Sequence, residues 1–245
     1  MIGQLRAELR KQRSTQTTLY LFLAMFGLVA LAIAMHVLAP AASKIATRDD
    51  QLRFFEAGTL IGMLFAGLAG AMAITAEIRY GTIRPTFLVT PRRGPVLAAK
   101  LAVSALAGIV FGLVAEGLMA GAATVALSAR GIDLQLDGGD YGRLLVGGTA
   151  AAALWATIGL GVGALVRNQV ATLVGLCTWM LLIENLLLGF VPGAGRLAPG
   201  AAGLALAGKI ADELLAPGPG ALLLILYAAA FAAAGWIATL RRDIA

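Results

Sequence analysis

Charge is scarce in these 245 residues: 13% are Asp, Glu, Lys or Arg, against 60% hydrophobic, where a soluble domain carries about a quarter charged residues. There is one cysteine, Cys177, so no intrachain disulfide can form and its plain role is that of a small apolar packing residue. The single histidine, His36, leaves His-based zinc sites and Ser-His or Cys-His machinery without a second member. Alternation over about ten residues, the mark of a lipid-facing strand, is also missing, which argues against a membrane barrel.

What the chain has in abundance is long apolar runs. Six are read directly: Thr17 to Ala39, Ala57 to Ala76, Val96 to Leu127, Leu144 to Val166, Val170 to Val191 and Gly220 to Leu240. A bilayer core needs roughly 20 apolar helical residues to be crossed, and each run supplies about that many. The expectation is an all-α membrane protein forming one transmembrane domain over 1–245, with six helical spans between 17 and 240. The first run follows a basic start and precedes Ala39-Pro40-Ala41, but it is longer than a secretory signal core of about 7 to 15 residues, and proline disfavours cleavage there.

Basic residues set the orientation, because cytoplasmic loops carry the Lys and Arg excess. Arg6, Arg10, Lys11 and Arg13 precede the first span, Arg79, Arg84, Arg92, Arg93 and Lys100 lie between the second and third, Arg167 between the fourth and fifth, and Arg241 and Arg242 at the tail. The alternate loops balance their bases with Asp49, Asp50 and Glu56, and with Asp133, Asp137 and Asp140. Both termini are therefore expected in the cytoplasm of a cell whose plasma membrane holds the chain. The net charge of +6 is accounted for as a topology signal and gives nucleic-acid binding no support.

Three features carry most of the functional information. Residues 1–16 hold Ile2, Leu5 and Leu9 on one helical face, with Arg6, Arg10, Lys11 and Arg13 around the remainder, the pattern of an interfacial helix that meets anionic lipid. Residues 77–95 are the densest charged stretch, running Glu77, Arg79, Tyr80, Gly81, Thr82, Ile83, Arg84, Pro85 and Thr86. At helical spacing Glu77, Tyr80, Gly81 and Arg84 share a face, and the stretch is longer than topology needs, so it reads as a docking surface. The third feature is Glu116 and Glu184 inside spans. A carboxylate there costs about 3 kcal/mol even on insertion scales, so each faces the bundle interior or water, either lining a substrate path or joining helices through partners such as Asn185 or Thr124. Gly58, Gly62, Ala66 and Gly70 form a four-residue ladder that lets a second helix approach closely.

In these residues the chain resembles the permeases of the ABC type-2 exporter family, in the version common in high-GC Gram-positive bacteria. The likeness extends over nearly the whole length: the basic N-terminal segment ending Arg13-Ser14-Thr15, the Glu77-x-Arg79-x-Gly81-Thr82-Ile83-Arg84-x-Thr86 stretch with Pro91-Arg92-Arg93 and Lys100 after it, and Gly159-x-Gly161-x-Gly163 leading to Arg167-Asn168-Gln169. Glu77, Gly81 and Thr82 match the most recurrent positions; Arg79, Tyr80 and Arg84 fit less strictly. The resemblance implies a coupling helix at Glu77 to Thr86 seated in a groove of an ATPase, a connecting helix at Ile2 to Arg13, and a re-entrant hairpin at 192–219 before the last span. It also implies two cytoplasmic ABC ATPase subunits that carry the ATP and Mg, and two permease subunits, a homodimer being the commoner arrangement.

The chain itself offers no ATP site. Gly203 to Lys209 nearly matches a phosphate-binding loop, but Ile210 stands where Ser or Thr would hold magnesium. No enzyme activity or bound cofactor is expected of this polypeptide. The leading expectation is export of a hydrophobic or amphipathic compound, since the spans have few polar positions; the alternative is an ion-coupled carrier that uses Glu116 and Glu184, although the two halves show no clear repeat.

Overall fold

The computed structural model describes residues 2–38, 45, 47–83, 85, 88, 93–208 and 214–241. All regular structure among them is helical: α1 (Ile2–Ser14), α2 (Gln16–Leu38), α3 (Arg48–Arg79), α4 (Arg93–Ala129), α5 (Gly138–Val166), α6 (Gln169–Thr178), α7 (Glu184–Phe190), α8 (Pro192–Gly195), α9 (Pro199–Leu206) and α10 (Pro217–Arg241). A π-helical turn, Trp179–Ile183, joins α6 to α7, so that the two run as one span. Six helices are long and apolar enough to cross a membrane, and they coincide with the six apolar runs. This is the architecture of a multi-pass membrane protein.

Local chemistry sets the helix ends. Thr47 caps α3 by accepting from the Asp50 amide, with Asp49 and Asp50 in the first turn, where acids complement the helix dipole. Helix α3 therefore starts at Arg48 rather than Ala57, and residues expected in a loop, Asp50 and Glu56 among them, are helical. Asp137 and Asp140 form a reciprocal capping box at the start of α5, and the Asn168 side chain accepts from the Ala171 amide at 3.0 Å to start α6. At the other end of α3, Gly81 takes φ +71°, a left-handed conformation that glycine adopts without a Cβ penalty and that commonly stops a helix.

Helices α3, α4 and α5 form the interior and the rest surround them. In the apolar windows of α3, α5 and α4, 67%, 61% and 50% of residues are buried, against 11% for α2 and 17% for both α6–α7 and α10. Glycines permit the tight crossings. A Cβ at Gly70 would overlap the Ala156 carbonyl, one at Gly159 the Gly67 carbonyl, and one at Gly161 the Phe231 carbonyl. In Gly159-x-Gly161-x-Gly163, the outer two face α3, with Gly163 3.0 Å from the Ala71 carbonyl by the same measure, while the middle one faces α10. The ladder on α3 likewise serves two neighbours rather than one: Gly58 and Gly62 meet Met119 and Ala115 of α4, and Gly70 meets α5.

Two ends of the bundle differ in character. At one, α1, the turn after α3, the start of α4 and the end of α10 come together, and Ile83, Val96, Leu97 and Leu160 close a small core beside Trp236. At the other, the Arg48 guanidinium pairs with Asp140, Nε donating to Oδ2 at 2.9 Å. Gln51, fully buried, donates to the Asp133 carbonyl and accepts from the Gln135 amide, both at 2.8 Å, pinning the α4–α5 connection to α3. Helix α9 is buried along Pro199 to Gly203 and packs between α10, α5 and α3: Gly203 abuts Met63 and Gly220 abuts Ala205.

Candidate functional site

The charged residues at the α1 end assemble into a closed ring of four. Lys11 Nζ donates to Glu8 at 2.9 Å and to Glu77 at 2.8 Å; Lys100 Nζ donates to Glu8 at 2.8 Å and lies 2.7 Å from the same Glu77 oxygen. Lys100 also donates to the Ala73 carbonyl at 3.2 Å. Three members are nearly removed from solvent, with relative exposures of 6% for Glu8, 8% for Glu77 and 1% for Lys100. Burial of that kind is tolerated only when the charges pair and compensate one another, and here two acids meet two bases. Desolvation pulls the Lys11 pKa down, but its hydrogen bonds to Glu77 and Glu8 outweigh that and hold it above the ordinary lysine value. The ring ties α1 to the roots of α3 and α4.

Directly beyond the ring, Arg79, Tyr80, Gly81 and Thr82 form an exposed turn. The Arg79 guanidinium lies 5.7 Å from the centre of the Tyr80 ring and donates to Gln169 of α6 at 3.4 Å. Because α3 stops at Arg79, Glu77 and Tyr80 do not share an outward face as helical spacing predicts: Glu77 turns in to the ring and Tyr80 points out, 71% exposed. Ile83 is buried in the small core. Arg84 and Thr86 fall outside the described residues. On α1, Arg6, Arg10 and Arg13 are exposed, while Lys11 enters the ring.

A cavity of about 430 Å³ lies beside the ring, between the α1–α2 elbow and α3. Glu8, Lys11, Gln12 and Tyr80 border its polar end, and Leu21, Met72 and Phe111 its apolar part.

Glu116 and Glu184 are both buried, at 3% and 4% exposure, and both have local partners, though not those expected. Thr59 of α3 donates to Glu116 at 2.5 Å, and the absence of side chains at Gly58 and Gly148 makes room for the carboxyl group. Glu184 accepts from Trp179 Nε1 at 2.5 Å and from the amides of Gly200 and Ala201 at 3.0 and 3.2 Å. It thereby meets the first free N–H groups of α9, which no residue of α9 itself satisfies. Thr124 bonds instead to the Tyr141 hydroxyl at 2.8 Å, and Asn185 to the Leu181 carbonyl at 3.0 Å. Neither acid borders the 430 Å³ cavity.

Glu8 is the residue that sequence reasoning missed. The available signal was a lone acid within a basic amphipathic helix, three positions before Lys11. Among the described residues no group of three or more His, Cys, Asp or Glu is placed to hold a metal ion. The chain matches no family model, and no curated protein is similar to it in sequence.

Proposed function

We propose that this chain is the membrane-spanning permease subunit of an ATP-driven exporter of hydrophobic or amphipathic compounds. ATP and Mg belong to two cytoplasmic ABC ATPase subunits, and a second copy of this chain completes the transporter in the plasma membrane with both termini in the cytoplasm. The observation that supports this best is the exposed Arg79–Thr82 turn backed by the buried ring. A turn that merely reversed the chain would need no such foundation; one that receives a push does. Helix α3, 32 residues long, is about 48 Å of continuous lever at 1.5 Å per residue. A partner that moves the turn moves α1 and the root of α4 with it, tilting the interior helices between two arrangements. In this reading the 192–219 segment, with α9 packed into the bundle, is the re-entrant hairpin.

The test is purification from native membranes by a tag on this chain. A soluble ATPase should accompany it, and Gly81→Trp should remove both the ATPase and ATP-dependent efflux while the chain still inserts. An ion-coupled carrier would behave in the opposite way: it would work without the ATPase and lose its response to a pH gradient on Glu116→Gln or Glu184→Gln. The bonds from Glu184 to α9 weigh against that alternative, because they give this acid a structural task.

A further inference from the structure

We propose that the 430 Å³ cavity beside the charge ring is a binding site for an anionic amphiphile, a molecule with a phosphate-type head and an aliphatic tail. Its volume falls in the range of small-molecule sites, about 300 to 1,000 Å³. Its lining is graded along α3. Glu77 and Tyr80 stand at the charged end, Ala73 and Ala76 between, and Ala69 and Met72 deeper, where Leu21 and Phe111 complete the wall. From Ala69 to Tyr80 is about 16 Å of helix, enough to seat a head at one end and part of a chain at the other.

The sign of the head follows from the ring. Glu8 and Glu77 are the acids in the lining, and each is bridged to both lysines. Both lysines meet the same Glu77 oxygen, and Glu77 Oε2 has no hydrogen-bond partner but is closed to solvent, so a cationic head would have to displace a lysine to reach either acid. Lys11 is different. Two of its three ammonium protons go to the acids, and the third remains for a ligand, since the side chain is 44% exposed and borders the cavity. Arg6, Arg10, Arg13 and Arg79 are exposed at this end of the bundle but do not border the cavity, which leaves Lys11 as the basic group at the head position. The apolar part accepts a tail through contacts that require no particular chemistry, so recognition rests on the head.

This site does not depend on the export reading: failure to recover an ATPase would leave it standing. Its test uses the full chain in nanodiscs of neutral phosphatidylcholine, with lysophosphatidylglycerol and lysophosphatidylcholine as the probes, read by native mass spectrometry. The anionic probe should bind about fivefold more tightly, as expected for one basic residue near a phosphate. Lys11→Gln should bring the two probes to parity. Ala69→Phe, which fills the apolar part, should weaken both by tenfold or more, with Ala76→Leu as a second blocking variant if the first fails to insert. Equal binding of the two probes by the unaltered chain overturns the assignment. So does undiminished binding in the blocking variants, which would mean lipid held only at the general surface.

Discussion

Replacing Lys100 by methionine keeps the length of the side chain and removes its charge, leaving Glu8 and Glu77 with Lys11 alone. Lys100 is 1% exposed and ion-paired to both acids. Removing one partner of a buried ion pair typically costs about 3–5 kcal/mol, because the remaining charge stays buried and uncompensated. Lys11 is too exposed to make up the loss, since partly solvated pairs contribute about 1 kcal/mol or less. If the loss falls on the docking of α1, the detached population rises by roughly a hundredfold to several thousandfold, at about 1.4 kcal/mol per decade. Limited trypsin digestion reads that population, because cleavage at Arg6, Arg10 or Arg13 requires local opening of the helix and tracks how often it opens. Adding Glu8→Gln to Lys100→Met removes the surplus acid and should recover at least half of the protection, so the two substitutions are strongly non-additive. A Lys100→Met chain whose α1 is cut within twofold of the unaltered rate would refute the argument that the ring holds α1.

Other expectations are open to equally direct measurement. The part of α1 docking that Lys11 supplies should persist past the ordinary lysine pKa of 10.5: a pKa raised in the folded state gives stability that is complete below the unfolded value and lost only as pH passes the folded one. Trypsin-resistance profiles across alkaline pH would expose an earlier release. Gly81→Ala should strain the turn by about 1–2 kcal/mol, since φ is +71° and nothing lies within 4 Å of an added Cβ; under the proposed function it should reduce ATP-dependent efflux without changing membrane insertion. Glu184→Ala should lower thermal stability in detergent by about 1–3 kcal/mol through the unmet Trp179, Gly200 and Ala201 donors, and Glu184→Gln by less, with one acceptor oxygen retained. Gly161→Val drives a side chain into the Phe231 backbone and should destabilise by about 1–3 kcal/mol or more, seen as early aggregation on heating.

The spans were legible because apolar runs of the required length are a local property of the sequence. Where α3 begins was not, since nine helical residues ahead of Ala57 depend on the Thr47 cap and on burial of Phe54 and Phe55, and the charged residues among them read as loop. The amphipathic α1 was legible, but its depth was not. Glu8 reaches Lys100 across 92 positions, and a pair so distant leaves no periodic trace. Glu77 is conspicuous for its place in a charged stretch and is central to the ring, yet helical spacing puts it on one face with Tyr80 and Gly81. The termination at Gly81, which turns Glu77 inward and Tyr80 outward, needs a positive φ that spacing alone does not reveal. Glu116 and Glu184 are both buried; their partners, Thr59 and the start of α9, are set by which helices become neighbours.

The alternating glycines of α5 work as a keyed joint on both flanks of a single beam. With carbonyls of α3 seated on one side and those of α10 on the other, sliding by even one residue would drive methyl groups into the vacated seats. Any large excursion of this protein must then swing the slab formed by these helices as a unit, with α2 and α6–α7 outside that joint.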